Sequence, residues 1–146
     1  MLERAGLPIS AVSGTVGVER HRVTFRGQTA HSGSTPMDMR RDAFLAAAAT
    51  ALAVRDSAVR HRGVGTVGAA RLRPGIVTAV AGETAVLVDQ RHPDAGALDA
   101  MLGEVRRASE EAARAGAFRL LKKLLLAIVR GGFRGYSSVG RASRSQ

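Results

Sequence analysis

The chain has 146 residues and a formal net charge of +10, from 22 lysines and arginines against 12 acids, a length for one domain and at most a small appendage. It has no cysteine and is 45% apolar, which excludes disulfides, thiolate metal sites, cysteine nucleophiles and a disordered chain, and it has no apolar run of the roughly 18 residues that span a membrane. The charge is uneven: residues 1–118 hold 15 arginines, no lysine and all 12 acids, a balance of +3, whereas residues 119–146 hold five arginines, two lysines and no acid, a balance of +7.

Residues 20–26 alternate, with Arg20, Arg22, Thr24 and Arg26 on one face and His21, Val23 and Phe25 on the other, which predicts a half-exposed strand. A polar loop, Gln28 to Ser34, comes next. Thr35-Pro36-Met37-Asp38 carries the residues of a helix start, and the alanine-rich run to about Arg60 favours helix, with Phe44, Leu45, Leu52 and Val59 as its larger apolar groups and Gly63 as its stop. Residues 64–72 predict a short strand ended by Pro74, and residues 76–91 a longer one in which Gly82 marks a bulge or tight turn. Asp94 caps a second helix whose stripe is Leu98, Met101, Leu102, Val105, Ala108 and Ala112, with Glu110 and Arg114 four apart on its wet face and Gly116 at its end. This order predicts an α+β, ferredoxin-like two-layer sandwich, β-α-β-β-α, with helices on one face of an antiparallel sheet. No family-like final strand comes after Gly116, so that strand is expected to be missing or replaced.

Gly63-Val-Gly-Thr-Val-Gly68 fits the dinucleotide fingerprint G-x-G-x-x-G, but a helix precedes it where a strand is required, and Pro74 breaks the chain where the fingerprint requires a helix. The four histidines, His21, His31, His61 and His92, show no metal-binding spacing; His92-Pro-Asp94 supplies two ligands and no third. Ser32 and Ser34 beside His31 do not form a nucleophile elbow. Arg40-Arg41 reads as a small anion patch or, more often for such a pair, as a solvated helix face balanced by Asp38 and Asp42.

Three strings carry a resemblance: Gly27 to Ala43 (Gly-Gln-Thr-Ala-His-Ser-Gly-Ser-Thr-Pro-Met-Asp-Met-Arg-Arg-Asp-Ala), Pro74 to Gly82, and Val88-Asp-Gln-Arg-His-Pro-Asp94. They resemble the dimerisation (lid) domain of zinc-dependent amidohydrolases, in the branch of N-carbamoyl-L-amino-acid hydrolases, hydantoin-utilisation amidases and allantoate amidohydrolases. The resemblance spans about residues 2–117. It implies a lead-in segment over 1–14, a lid over 15–117 and a non-family tail over 118–146. It implies that His31 stabilises the tetrahedral intermediate in the partner subunit's site, that Arg91 grips the substrate carboxylate, and that Thr78 stands where the family commonly has a substrate-binding Asn. Val18 and Ala81 replace a Gln and a Pro found in relatives. The family's two divalent metal ions (zinc, manganese or similar) would be bound by a catalytic domain, so no cofactor is expected within these residues. The expected partner is a second copy through the lid, or a full-length homologue. A small-molecule substrate would bind only with the catalytic domain.

In the tail, Arg119 to Arg130 reads either as a cationic amphipathic helix, with disorder after it, or as non-native sequence translated after a frameshift or truncation; the missing strand would leave a sheet edge open, and Leu120 to Val129 either covers that edge or packs on the apolar face as a helix. The ending Tyr136 to Gln146 resembles translated transfer-RNA gene sequence. Nucleic-acid or membrane contact by the tail is not expected. The expected function is therefore the dimerisation and substrate-lid part of a metal-dependent amidohydrolase acting on linear amides of the N-carbamoyl amino acid type, inactive alone. The alternatives are a homodimeric binding module or a basic amphipathic binder of membranes or nucleic acid. The start of the chain lacks the basic-then-apolar pattern of a secretory leader, so a cytoplasmic protein is expected.

Overall fold

The computed structural model describes residues 16–116 and, for residues 119–128, the backbone. The lead-in segment and residues 129–146 lie outside the described residues. In chain order come β1 (Gly17–Arg26), β2 (Ala30–His31), a 3-10 turn (Met37–Met39), α1 (Ala43–His61), β3 (Val64–Arg73), β4 (Ala79–Val80), β5 (Glu83–His92), α2 (Ala95–Ala115) and β6 (Arg119–Ile128). The main sheet runs β3-β5-β1-β6, with every neighbour antiparallel. Both helices pack on it and on each other, which gives the two-layer α+β sandwich of the β-α-β-β-α-β unit.

Alternation along the strands sets the two faces. On β5, Thr84, Val86, Val88 and Gln90 are buried, while Ala85, Leu87, Asp89 and Arg91 are not. Val23 and Phe25 of β1 meet Val86 and Val88 beneath Ala43, Ala46, Ala47 and Val54 of α1 and Val105 and Ala113 of α2. Among the described residues, the other face of the sheet carries no helix.

The second helix obeys its sequence signals. Asp94 accepts from Ala97 N at 2.7 Å, Gly116 is the C-cap, and Leu98, Met101 and Val105 are buried. Ser109 joins them, its hydroxyl donating to Val105 O at 2.7 Å. Glu110 pairs backwards with Arg106 at 3.2 Å.

The first helix departs from its signals in two ways. Its start is Ala43, not Thr35-Pro36, because Arg40 is extended (φ −79°, ψ 138°) and ends the 3-10 turn. Asp42 is the cap, accepting from Phe44 N at 2.9 Å. Its buried face is small: Ala43, Ala46, Ala47, Thr50, Val54, Ser57 and Ala58. The large apolar groups point outward, with Leu45, Leu52 and Val59 exposed by 61%, 64% and 67%. They recur every seventh residue, which places them on one stripe.

The expected long strand over 76–91 is two strands. β4 leaves the main sheet and pairs with β2, and the turn to β5 brings Gly82 against Thr29 so closely that a Cβ would overlap its hydroxyl and amide nitrogen. After Gly116, Arg119–Ile128 pairs antiparallel with β1. The tail segment is therefore a strand and not an amphipathic helix. The physical reason is the otherwise open N–H and C=O row of β1, which a short helix could not satisfy.

Candidate functional site

The structure places the three expected site residues at two ends of the sheet. His31 and Thr78 lie together. His31 pairs with Ala79 across the β2–β4 ribbon, and Ser32 N donates to Thr78 O at 2.9 Å. Thr78 is exposed, in the loop just before β4.

The loop after His31 fixes the state of its ring. Gly33 N and Ser34 N donate to His31 Nδ1 at 3.1 Å and 3.2 Å. A ring nitrogen that accepts two N–H bonds carries no proton, so in the neutral ring the N–H is on Nε2. The exposed His31 thus presents a hydrogen-bond donor. The backbone of this loop, not the hydroxyls of Ser32 and Ser34, meets the imidazole. Arg40 braces the same loop, donating to Ser32 O at 2.5 Å and Thr35 O at 2.9 Å. It is a structural clamp and not a solvated helix face.

Arg91 lies near the far end of β5, on the helix-free face, opposite Val18 on β1 and Val64 on β3. Its Nε and one terminal nitrogen donate to the two oxygens of Asp89 at 2.6 Å and 3.1 Å. Arg20 donates to the same carboxylate at 2.7 Å. The Arg91 hydrogen bond, then Arg20, holds Asp89 below the ordinary aspartate range, and Asp89 in turn raises Arg91. One edge of the guanidinium is fixed in this way and the other stays open, a fork suited to a carboxylate. Asp89 is a site residue that the sequence patterns above do not single out. A signal for it exists: residues two apart on a strand share a face.

Eight residues of extended strand separate Glu83 from Arg91, about 27 Å at strand rise, and His31 lies beyond the Glu83 end. One copy of this fold does not bring His31 and Arg91 to one small molecule.

Two of the other histidines, His61 and His92, tie elements together. His61 Nε2 meets Glu104 at 2.9 Å and Arg60 meets the same carboxylate at 2.7 Å, joining α1 to α2. Ser57, then His61 and Arg60, hold Glu104 down to about 2, although the Ser57 hydroxyl stops short of hydrogen-bond geometry. His92 bridges Asp94 N and His61 O at 2.9 Å and 3.0 Å. Burial pushes His21 below the ordinary imidazole range, against an opposite pull from Glu19. Two of the three G-x-G-x-x-G glycines are packing positions: a Cβ on Gly63 would lie 2.8 Å from Met101 Sδ, and one on Gly65 2.8 Å from Val54 O, whereas Gly68 has nothing within 4 Å. Among the described residues no group of three or more His, Asp or Glu is placed to hold a metal ion, so they do not fit a resident metal centre. Among them, too, no helix is long and apolar enough to cross a membrane.

No family model matches the chain. Individual relatives do. The chain is 37% identical over 100 residues to allantoate amidohydrolase of Escherichia coli (strain K12), which covers 67% of this chain and 24% of that protein. It is 37% identical over 93 residues to N-carbamoyl-L-amino acid amidohydrolase of Geobacillus stearothermophilus, covering 62% of this chain and 22% of that protein. A crystal structure of a hydantoinase/carbamoylase family amidase from Burkholderia ambifaria superposes with a TM-score of 0.78 at 32% identity, over 86% of this chain and 31% of that one. The chain, which spans roughly a quarter of the length of the curated relatives it matches, belongs to the amidohydrolase family that holds the N-carbamoyl-L-amino-acid amidohydrolases, the allantoate amidohydrolases and the hydantoinase/carbamoylase amidases.

Proposed function

We propose that this chain is the dimerisation and substrate-lid part of a metal-dependent amidohydrolase that cleaves a non-peptide C–N bond in a linear amide, of the N-carbamoyl amino acid type. By itself it does not catalyse the reaction. The observation that supports this reading best is the separation of His31 and Thr78 from Arg91 along one sheet, together with a free edge. Among the described residues β3 has no neighbour on its outer side, and residues 64–70 of that edge bear no charge. The exposed Leu45, Leu52 and Val59 stripe lies on α1, which packs against β3.

Two copies pairing antiparallel along β3 would reverse one sheet relative to the other. The His31 end of one copy then lies at the Arg91 end of its partner. Each composite site would receive Arg91 from one copy and His31 with Thr78 from the other. There the Arg91 fork would hold the substrate carboxylate. The Nε2–H of His31 would donate to the amide carbonyl oxygen as it gains negative charge, a contribution of about 3 kcal/mol when water is excluded. Thr78 would offer one hydroxyl, a donor and acceptor without the paired groups of an Asn amide. The catalytic domain, and not these residues, would hold the metal ions and supply their Lewis-acid chemistry.

The experiment is light scattering of the purified chain, beside Leu52→Asp/Val59→Asp. The chain is expected to elute as a dimer and the double variant as a folded monomer; a strict monomer of the unmodified chain would overturn the pairing. Hydrolysis of N-carbamoyl-L-alanine by the metal-supplemented chain would overturn its inactivity.

A further inference from the structure

We infer that the groove around Arg91 takes a substrate with two anionic groups, and that Arg62 reads the second one. The inference rests on the proposed role of Arg91 and names the substrate class for that site: the N-carbamoyl derivative of an acidic amino acid.

The groove encloses about 510 Å³, with Arg62, Val64, Thr66, Asp89 and Arg91 in its lining, a size within the range of small-ligand sites. Its charges do not balance. Asp89 is its only lining acid, and that carboxylate is already bonded to both Arg20 and Arg91. Counting Arg20, three guanidinium groups face one carboxylate. A substrate with a single carboxylate can occupy the open edge of Arg91, which leaves a cation in the same groove without a counter-charge. Arg62 is that cation, since it has no acidic partner among the described residues. A second anionic group brings the groove to neutrality.

The backbone places the two arginines at a suitable spacing. Val64 is the β3 partner of Arg91, and Arg62 stands two residues before it, at the left-handed end of α1 and so at most about 7 Å from it along the chain. Two acidic groups joined through two or three carbons, reached by long flexible side chains, span that interval. Thr66, opposite Asp89 in register, adds a hydroxyl donor on the other side of Arg91, away from Arg62. Arg62 also holds the left-handed C-cap of α1, with φ 55°, where glycine is the usual residue. Arg62→Gly therefore removes the cation without disturbing the turn.

The test is a titration of the isotope-labelled full chain, monitored by amide chemical shifts at pH 7 and low salt. N-carbamoyl-L-aspartate and N-carbamoyl-L-alanine are compared on the unmodified chain, Arg62→Gly, Arg62→Lys and Arg91→Ala. The aspartate derivative is expected to bind about fivefold tighter than the alanine derivative, the scale of one partly exposed ion pair. Arg62→Gly should bring that ratio to about one and leave the alanine derivative unchanged; Arg62→Lys should keep part of the preference. Equal affinities in the unmodified chain, or a ratio that survives Arg62→Gly, overturn the inference alone if Arg91→Ala still abolishes binding of both compounds. Docking of the anionic groups in this groove needs no catalytic domain and is expected at millimolar concentration, against the expectation that substrate binds only with that domain; absence of binding by the unmodified chain at about 10 mM, or binding untouched by Arg91→Ala, overturns the role of Arg91 and the inference with it.

Discussion

Replacing Glu104 by Gln should destabilise the fold in a pH-dependent way. Glu104 accepts from Arg60 at 2.7 Å and meets His61 at 2.9 Å, bonds that tie the end of α1 to α2. Its folded pKa is lowered from 4.5 to about 2, by Ser57 first and then His61 and Arg60. A carboxyl with a depressed folded pKa contributes stability that is fully present above its unfolded value, and loses it as pH falls through the folded one. At full value the shift corresponds to about 3 kcal/mol. The side chain is 25% exposed, so solvent screening reduces this to about 1–2 kcal/mol. The assay is urea unfolding of the unmodified chain and Glu104→Gln between pH 7 and pH 2. The two should differ by about 1–2 kcal/mol at pH 7, converge as pH falls from about 4.5, and match near pH 2. A difference that stays constant across that range would mean that lost packing, not lost charge, explains the variant. No difference at pH 7 would refute the coupling of the two helices through Glu104.

Gly63→Ala should destabilise by about 1–3 kcal/mol, because the new methyl would sit 2.8 Å from Met101 Sδ and 2.9 Å from Arg91 O; Gly68→Ala, with nothing within 4 Å, is the control, and equal effects would argue against the packing role. Nitrogen-15 NMR of the neutral His31 ring should show a protonated Nε2 and a bare Nδ1. The opposite tautomer would mean that Gly33 N and Ser34 N do not hold Nδ1.

The second helix is legible in the sequence because its signals are local. Asp94 caps the residues directly after it, and the 3.6-residue period of Leu98, Met101 and Val105 defines an inner face without reference to the rest of the chain. The same holds for the face of β1, where alternation alone separates Val23 and Phe25 from Arg20 and Arg22. The first helix is harder. Its run of alanines predicts helix but not which side turns inward, and the side that does is the one without bulk. The sheet and α2 leave room there only for Ala46, Ala47 and Thr50, so Leu45, Leu52 and Val59 are turned outward.

Residues 20–26, Asp94 and the Ala-His-Ser-Gly-Ser-Thr-Pro string are read without coordinates, because their physics is confined to a few neighbouring residues. By itself the sequence also determined the family and the two-layer class. Only the tertiary structure decided three further matters: that β4 leaves the sheet to pair with β2, that Arg119–Ile128 is a strand, and that His31 and Arg91 lie at opposite ends. The reason is common to all three. Each depends on which backbone edge or side-chain surface remains unsatisfied after the other elements have packed, and that is a property of the assembled fold rather than of any stretch of chain.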